Sequence, residues 1–408
     1  EASLQHWLAT ANRTLYCGFD PSADSLHVGS LIPLLMLRRF QRAGHRPIAL
    51  VGGATGMIGD PSGKNEERNL LSVDMLRANV AGLEQQMRLV LDFEDAHNPA
   101  TLVNNFDWMR SVSYLDFLRD VGKHFPVNVM MAKDSVKSRL ERDDVGISYT
   151  EFSYMLLQAH DFVHLYNAQG CQLQIGASDQ WGNITAGIDL ARRMKGAQLH
   201  GLTCPLLTKS DGSKMGKTEG GTVWLSPKRT SPYAFYQYWI NIDDADAGKC
   251  LRMLTELSHE EIETLDASRA ADPAQRESQR RLAEELTRLV HGNAGLQTAQ
   301  RATEIFFGAE ITALSDTQLG EIFADVPSRE LPRARLDGDG LNIVDALIES
   351  GLAKSKSDAR RTVEQGGAYA NNRRVEGPSA QLTPQHLASE SVLVLRSGKK
   401  KYALLRFR

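Results

Sequence analysis

Two ammonium groups stand close together in the pentapeptide Lys214-Met215-Gly216-Lys217-Thr218, in a stretch that also holds Asp211, Gly212, Gly220 and Gly221. A phosphoryl- or nucleotidyl-transfer transition state spreads negative charge over phosphate oxygens. Lysines on a glycine-rich loop can meet that charge as it develops. Far upstream, Leu26-His27-Val28-Gly29-Ser30 places an imidazole and a glycine at the predicted start of a helix. There, unpaired backbone N–H groups and the helix dipole favour anions. His27 can donate to a phosphate oxygen, and Gly29 lets a flat purine or ribose approach the backbone. Each motif alone describes many surface loops. Together they predict a split nucleotide site within one catalytic domain.

The elements that must position these groups follow from pattern. Residues 14–19 read as a buried strand entering a turn at Asp20-Pro21, and 47–51 as an apolar strand closed by Gly52-Gly53. Residues 31–40 read as a helix with Pro33 in its first turn, where a missing N–H costs little. Helical periodicity recurs at 73–90, 113–121, 149–167 and 179–195, with another strand at 172–175. Strands alternating with helices predict an α/β, Rossmann-type parallel-sheet catalytic domain over 1–208. The lysine loop occupies 209–230. An α-helical domain follows over 231–330, opening at Pro232 and highly charged from Ser258 onward. Residues 331–340 read as a linker from their Pro, Asp and Gly content. Residues 341–408 read as a small α+β module.

At 408 residues the chain is too long for one ordinary core. Its composition, 42% hydrophobic and 24% charged, is that of a globular protein. The net charge of −3 makes no global case for nucleic acid. From residue 331 onward, however, 14 Lys/Arg face 8 Asp/Glu, an excess of six positive charges. A basic tail on a near-neutral body predicts an RNA-binding appendage. Cys17, Cys171, Cys204 and Cys250 form no Cys-x-x-Cys pair, which predicts no structural zinc and suits a reducing compartment. No apolar run reaches membrane-span length, and no signal-peptide core opens the chain. The first residue is Glu1 rather than Met, so the chain's own start stays open.

Six further segments narrow the reading. They are Leu15-Tyr16-Cys17-Gly18-Phe19-Asp20-Pro21, Gly52-Gly53-Ala54-Thr55-Gly56, Gly59-Asp60-Pro61-Ser62-Gly63-Lys64, Glu151-Phe152-Ser153-Tyr154-Met155-Leu156-Leu157-Gln158-Ala159, Gln174-Ile175-Gly176 and Ser178-Asp179-Gln180-Trp181-Gly182-Asn183. With the histidine and lysine signatures, they resemble the bacterial-type tyrosyl-tRNA synthetases of class I, and 341–408 resembles an S4-type RNA-binding domain. The resemblance runs from about residue 15 to the end.

The resemblance implies activation of L-tyrosine by ATP with Mg²⁺ to tyrosyl-adenylate, then transfer to the terminal adenosine of tRNA(Tyr). It places Tyr16 and Asp161 on the phenolic hydroxyl. A paired hydroxyl site rejects phenylalanine because its own polar groups would be left unpaired, a case for which tyrosyl-tRNA synthetases are themselves the standard illustration. Asp60, Tyr154 and Gln158 fall on the substrate ammonium, with Gln174 nearby. Gly18, Asp20, Ser22, His27, Gly29 and Ser30 fall on one wall of the ATP site. Gly176, Asp179 and Gln180 fall on the other, with Asp179 on the ribose. Lys64 and Arg68 reach pyrophosphate, and Lys214, Met215, Lys217 and Thr218 close over it. No side chain serves as nucleophile and no protein-held metal is implied. Ser30 departs from the family's second histidine, which predicts weaker transition-state help there. Gly216 and Thr218 stand where the class I signature has serines, a variant common in this family, and both lysines are retained.

In the tail, Lys354, Lys356, Arg360, Arg361, Arg373, Arg374, Lys399, Lys400 and Lys401 are the predicted phosphate contacts. The resemblance also implies a homodimer joined near 106–140, and a cytoplasmic or organelle-matrix location. Two rivals remain: a non-catalytic RNA-binding protein on the same fold, and the tryptophan-specific relative. Retention of His27, Asp60, Asp161, Asp179, Lys214 and Lys217 speaks against the first. Tyr16 with Asp161 speaks against the second.

Overall fold

The computed structural model describes residues 2–62, 72–140, 146–218, 221–312 and 314–408. It divides into two compact units, one of residues 1–229 and 242–282, the other of residues 230–241 and 283–408. The segment expected as one helical domain at 231–330 is therefore shared between them.

The first unit is built on a parallel sheet of β1 (Thr14–Phe19), β2 (Arg46–Val51), β3 (Thr101–Asn104), β4 (Leu173–Ala177) and β5 (His200–Cys204), in the order β3-β2-β1-β4-β5. The three central strands are the ones legible as apolar runs. They are buried on both faces, as crossover helices require. β3 and β5 were not foreseen. They are the sheet edges, mostly half-buried, and Thr-Leu-Val-Asn and His-Gly-Leu-Thr-Cys carry no continuous apolar signal.

The helices start and stop where backbone chemistry dictates. The helix Tyr149–Gln169 opens on Ser148, whose hydroxyl accepts from Glu151 N–H, and closes on Gly170 at φ 63°. The helix Trp181–Lys195 closes on Gly196 at φ 62°. Both ends use the left-handed region that glycine enters without a Cβ penalty. Phe162, Leu165, Ala159, Leu190 and Ala191 are buried together against β1 and β2 residues Tyr16, Ile48 and Leu50. Complete burial of a large aliphatic or aromatic side chain contributes about 1.5–3 kcal/mol, so this layer fixes how the helix carrying Tyr154, Gln158 and Asp161 meets the sheet. The lysine loop closes on a ribbon of β6 (Lys217–Thr218) and β7 (Gly221–Thr222).

In the second unit, β8 (Ser328–Leu331), β10 (Ala368–Ala370), β11 (Arg373–Arg374), β13 (Val392–Ser397) and β14 (Lys401–Phe407) form a sheet of order β11-β10-β13-β14-β8. A separate pair joins β9 (Leu341–Asn342) to β12 (Gln381–Leu382). The 331–340 segment is not a free tether. Leu331 pairs with Phe407 in parallel register, and Leu336, in the turn Arg333–Leu336, is buried in the core with Ile343 and Leu347. Two leucines in a Pro/Asp/Gly-rich stretch find an apolar face, and that burial outweighs the turn chemistry. Among the described residues no helix is long and apolar enough to cross a membrane. All four cysteines are free and buried.

Candidate active site

The order β3-β2-β1-β4-β5 reverses direction between β1 and β4. In open α/β sheets, ligands bind beyond the carboxyl ends of the strands at that reversal. β1 ends at Phe19 and delivers Asp20. β4 ends at Ala177 and delivers the turn Ser178–Gln180. Gly18 is exposed within an otherwise buried stretch of β1, so the backbone there is open to approach.

At the inner end stands Asp161, 2% exposed. Its Oδ1 accepts from Trp108 Nε1 at 2.9 Å, and its Oδ2 accepts from Asn105 Nδ2 at 2.9 Å. Burial pushes its carboxyl up to about 7. The Asn105 and Trp108 hydrogen bonds pull it down, and the charge of Asp20 pushes it up again. Tyr16 lies near enough for Asp161 to raise its phenol further, after burial has already raised it well above its ordinary value. Its hydroxyl is buried and has no hydrogen-bond partner. The Gln174 Oε1 and Gln158 Oε1 atoms are also buried without partners. Buried polar atoms are normally satisfied, so one hydroxyl and two amide oxygens left unpaired on residues expected to meet one substrate suit a site completed by a ligand.

A hydrogen-bonded chain leads outward. Asn105, fully buried, donates to Thr55 Oγ1 at 3.0 Å and accepts from Ala54 N–H at 2.7 Å. The Thr55 hydroxyl donates to Asp20 Oδ1 at 2.8 Å, and the Tyr154 hydroxyl donates to Asp20 Oδ2 at 2.9 Å. The chain passes so close to Gly52 that a Cβ there would lie 2.2 Å from Asp20 Oδ1. Asp60 accepts from Gln180 Nε2 at 2.7 Å and from Ser62 N–H at 2.9 Å, with Asn183 Nδ2 at 3.4 Å. Asp20, Asp60 and Asp161 all act electrostatically on Tyr154, after burial the main reason its phenol is held well above the ordinary range. Three carboxylates converging on one phenol create a local demand for a cation.

The two signature motifs are joined. Leu225 N–H donates to Leu26 C=O at 2.9 Å, Val28 N–H to Val223 C=O at 3.1 Å, and Val223 N–H to Gly216 C=O at 2.9 Å. Gly29 N–H donates to His27 Nδ1 at 3.0 Å. Burial lowers the His27 pKa, and the charges of Lys214 and Lys217 lower it further. A neutral imidazole whose Nδ1 accepts must carry its proton on Nε2, so His27 keeps an N–H donor there. Lys214 also acts on Asp179, whose carboxyl is raised by burial and by Asp60 and lowered by Lys214. His27, the lysine loop, Asp179 and the Asp60 loop therefore belong to one electrostatic neighbourhood. Met215 does not face it: the side chain is buried, with Cys250 Sγ 3.6 Å from its Sδ. Ser30 precedes the helix Leu31–Arg42 and its hydroxyl makes no capping bond.

Lys64 and Arg68 lie outside the described residues, as does the side chain of Thr218. Thr55 and Asn183 lie in segments that sequence reasoning singled out without giving them a role, whereas Asn105 and Trp108 were missed. Asn105 and Trp108 follow β3, an edge strand with no apolar signature, so nothing placed them beside Asp161.

In the second unit all nine predicted phosphate contacts are exposed. Lys356 pairs with Asp345 at 3.3 Å, Arg361 with Asp358 at 2.9 Å and Arg373 with Glu310 at 3.0 Å. Among the described residues Lys354, Arg360, Arg374, Lys399, Lys400 and Lys401 make no ion pair.

The chain is similar to known proteins along nearly its whole length. Residues 9–308 match the family described as tRNA synthetases class I (W and Y), and residues 318–405 match a tyrosine–tRNA ligase SYY-like C-terminal domain. A tyrosine–tRNA ligase of Rhodopirellula baltica is 62% identical over 406 residues, covering 100% of this chain and 92% of the relative. One from Geobacillus stearothermophilus is 51% identical over 408 residues, covering 100% and 96%. Among solved structures, a C-terminally truncated mitochondrial tyrosyl-tRNA synthetase of Aspergillus nidulans superposes with a TM-score of 0.66 at 30% identity, covering 74% of this chain and 89% of that one.

Proposed function

The chain belongs to the class I tRNA synthetases of the tryptophan and tyrosine group, and on that premise we propose that it is a ligase joining L-tyrosine to tRNA(Tyr). The tyrosine carboxylate attacks the α-phosphorus of ATP in line, and pyrophosphate leaves. A hydroxyl of the terminal adenosine of tRNA then attacks the carbonyl of the adenylate, and AMP leaves. Catalysis is positioning plus charge stabilisation.

The observation that carries this reading is the pair at the inner end: the buried, unpartnered hydroxyl of Tyr16 beside an Asp161 already oriented by Asn105 and Trp108. A phenol O–H reaching this point gains an acceptor on Asp161 and relieves the orphaned Tyr16 hydroxyl. Phenylalanine does neither, and an indole lacks the hydroxyl. Asp60, Tyr154 and Gln158 accept the substrate ammonium, with Gln174 beside them. Gly18, Asp20, Ser22, His27, Gly29 and Ser30 receive ATP on one side, and Gly176, Asp179 and Gln180 on the other. Lys214 and Lys217 meet the pyrophosphate, with Thr218, Lys64 and Arg68 assigned there by the family's pattern. Mg²⁺, which keeps several waters and rides on substrate phosphates, arrives with ATP.

An apolar surface supports a homodimer. Leu115 and Tyr114 are 76% and 62% exposed, and Val127, Val129, Met131 and Tyr149 are exposed with them. Exposed apolar surface on this scale marks an interaction face, and mass measurement in solution tests it. The nine basic residues of 354–401 bind tRNA phosphates. The cytosol or an organelle matrix is the compartment.

Amino-acid-dependent ATP–pyrophosphate exchange, run in parallel with tyrosine, phenylalanine and tryptophan, tests the function. Exchange with tyrosine alone is the expected result. Exchange with none of the three leaves the RNA-binding reading in its place.

A further inference from the structure

Asp161 is held by groups that are themselves held. The Trp108 indole donates to Asp161 Oδ1 at 2.9 Å, and its ring lies flat against His164, with centroids 4.3 Å apart and planes 14° apart. Asp161 and His164 stand three residues apart on the helix Tyr149–Gln169, on neighbouring positions of one face. Trp108 comes from the short helix Phe106–Met109 after β3. One helix thus offers a carboxylate to the indole N–H and an imidazole to the indole face. Trp108 is only partly buried, so packing alone does not immobilise it. The His164 imidazole is neutral near pH 7, because burial lowers its pKa, and stacks as a flat aromatic ring. His160 continues the row, 6.5 Å from His164 and 5.9 Å edge-on from Phe117.

We propose that His164 is a positioning residue for tyrosine recognition: its stack on Trp108 keeps the indole N–H on Asp161 Oδ1, and thereby aims the remaining lone pairs of that carboxylate at the substrate phenol. His164 touches no substrate and acts through Trp108. The inference rests on the assignment of Asp161 to the phenol. Its consequence centres on that contact, because the hydrogen bonds of Asp60, to Gln180, Ser62 and Asn183, and of His27, to Gly29, do not run through Trp108.

The experiment is pyrophosphate exchange by the 408-residue chain with tyrosine and phenylalanine, for the unsubstituted protein, His164→Ala, His164→Phe, Trp108→Phe and the double variant. Hydrogen bonds to charged groups are worth roughly ten-fold or more in affinity. His164→Ala is therefore expected to lower the tyrosine-to-phenylalanine ratio of kcat/KM roughly ten-fold, through the KM for tyrosine, with kcat unchanged. His164→Phe keeps a flat ring and should restore the ratio to within about two-fold. In the Trp108→Phe background the N–H is already gone, so His164→Ala should change the ratio no further. An unchanged ratio, an equal fall for both amino acids, no rescue by phenylalanine, or additive losses in the double variant would each overturn the proposal. Absence of tyrosine-dependent exchange in the unsubstituted protein is a separate signature: it removes the functional reading, and this inference with it.

Discussion

Gly216 lies directly against Val28. At φ 91° its backbone occupies the left-handed region, and a Cβ there would fall 2.5 Å from Val28 Cγ2. Gly216, the second of the two residues between the lysines, is thus packed onto the histidine segment itself, so lysine-loop geometry and His27 geometry are set together. Where the class I signature has serine, this chain has the residue its backbone demands. Gly216→Ser imposes a left-handed penalty of about 1–2 kcal/mol and must displace the loop. Adenylate formation should slow roughly ten-fold or more, while tyrosine affinity holds. Pre-steady-state adenylate formation and equilibrium tyrosine binding measure the two separately. Equal losses in both would show that the loop does not act on the transition state.

Tyr16 predicts a trade between stability and selectivity. Its buried hydroxyl lacks a partner, and such a group costs about 1–3 kcal/mol. Tyr16→Phe should raise the unfolding free energy of the ligand-free protein by about 1 kcal/mol. It should also lower the tyrosine-to-phenylalanine ratio in exchange. Denaturant unfolding without ligand checks the first outcome, and a destabilised variant would contradict it.

Asp161 predicts opposite pH trends for folding and for binding. Its folded pKa is raised from 3.8 to about 7. The folded state therefore holds this proton more tightly than the unfolded chain does. The associated stability is complete below about pH 4 and is lost as pH rises towards 7. Melting temperatures of wild type and Asp161→Asn should diverge over that window, with wild type falling relative to the variant. Parallel curves would refute the shift. Tyrosine affinity should move the other way, tightening as pH rises through about 7, because the ionised carboxylate is the stronger acceptor.

The ion pairs of the tail sort its basic residues. Lys400 and Lys401 carry no ion pair among the described residues, whereas Arg373 already faces Glu310 at 3.0 Å. Each phosphate contact removed should lower the log–log salt slope of tRNA binding by about one. Replacing Lys400 and Lys401 together by alanine should lower it by about two, and Arg373→Ala by less than one. Filter binding across a salt series decides between them. Equal slopes for all variants would move the interface elsewhere.

Residue types and spacing alone determined a great deal here. The apolar runs of β1, β2 and β4 gave a parallel α/β body. The i, i+4 and i+7 spacing of Tyr154, Gln158 and Asp161 put three polar groups on one helix face. Glycines marked the end of β2 and the lysine loop. These signals are local, governed by helix period, strand burial and capping. Tertiary structure decided the rest. Only folding brings Asn105 and Trp108, from beyond a half-buried edge strand, onto Asp161. Only folding links Thr55 to Asp20 and seats Gly216 on Val28. It also turns the 331–340 stretch into sheet and core. Each is a contact between residues far apart in sequence, made because buried polar atoms must be paired and apolar side chains must leave water, and no local pattern records which distant partner meets that need.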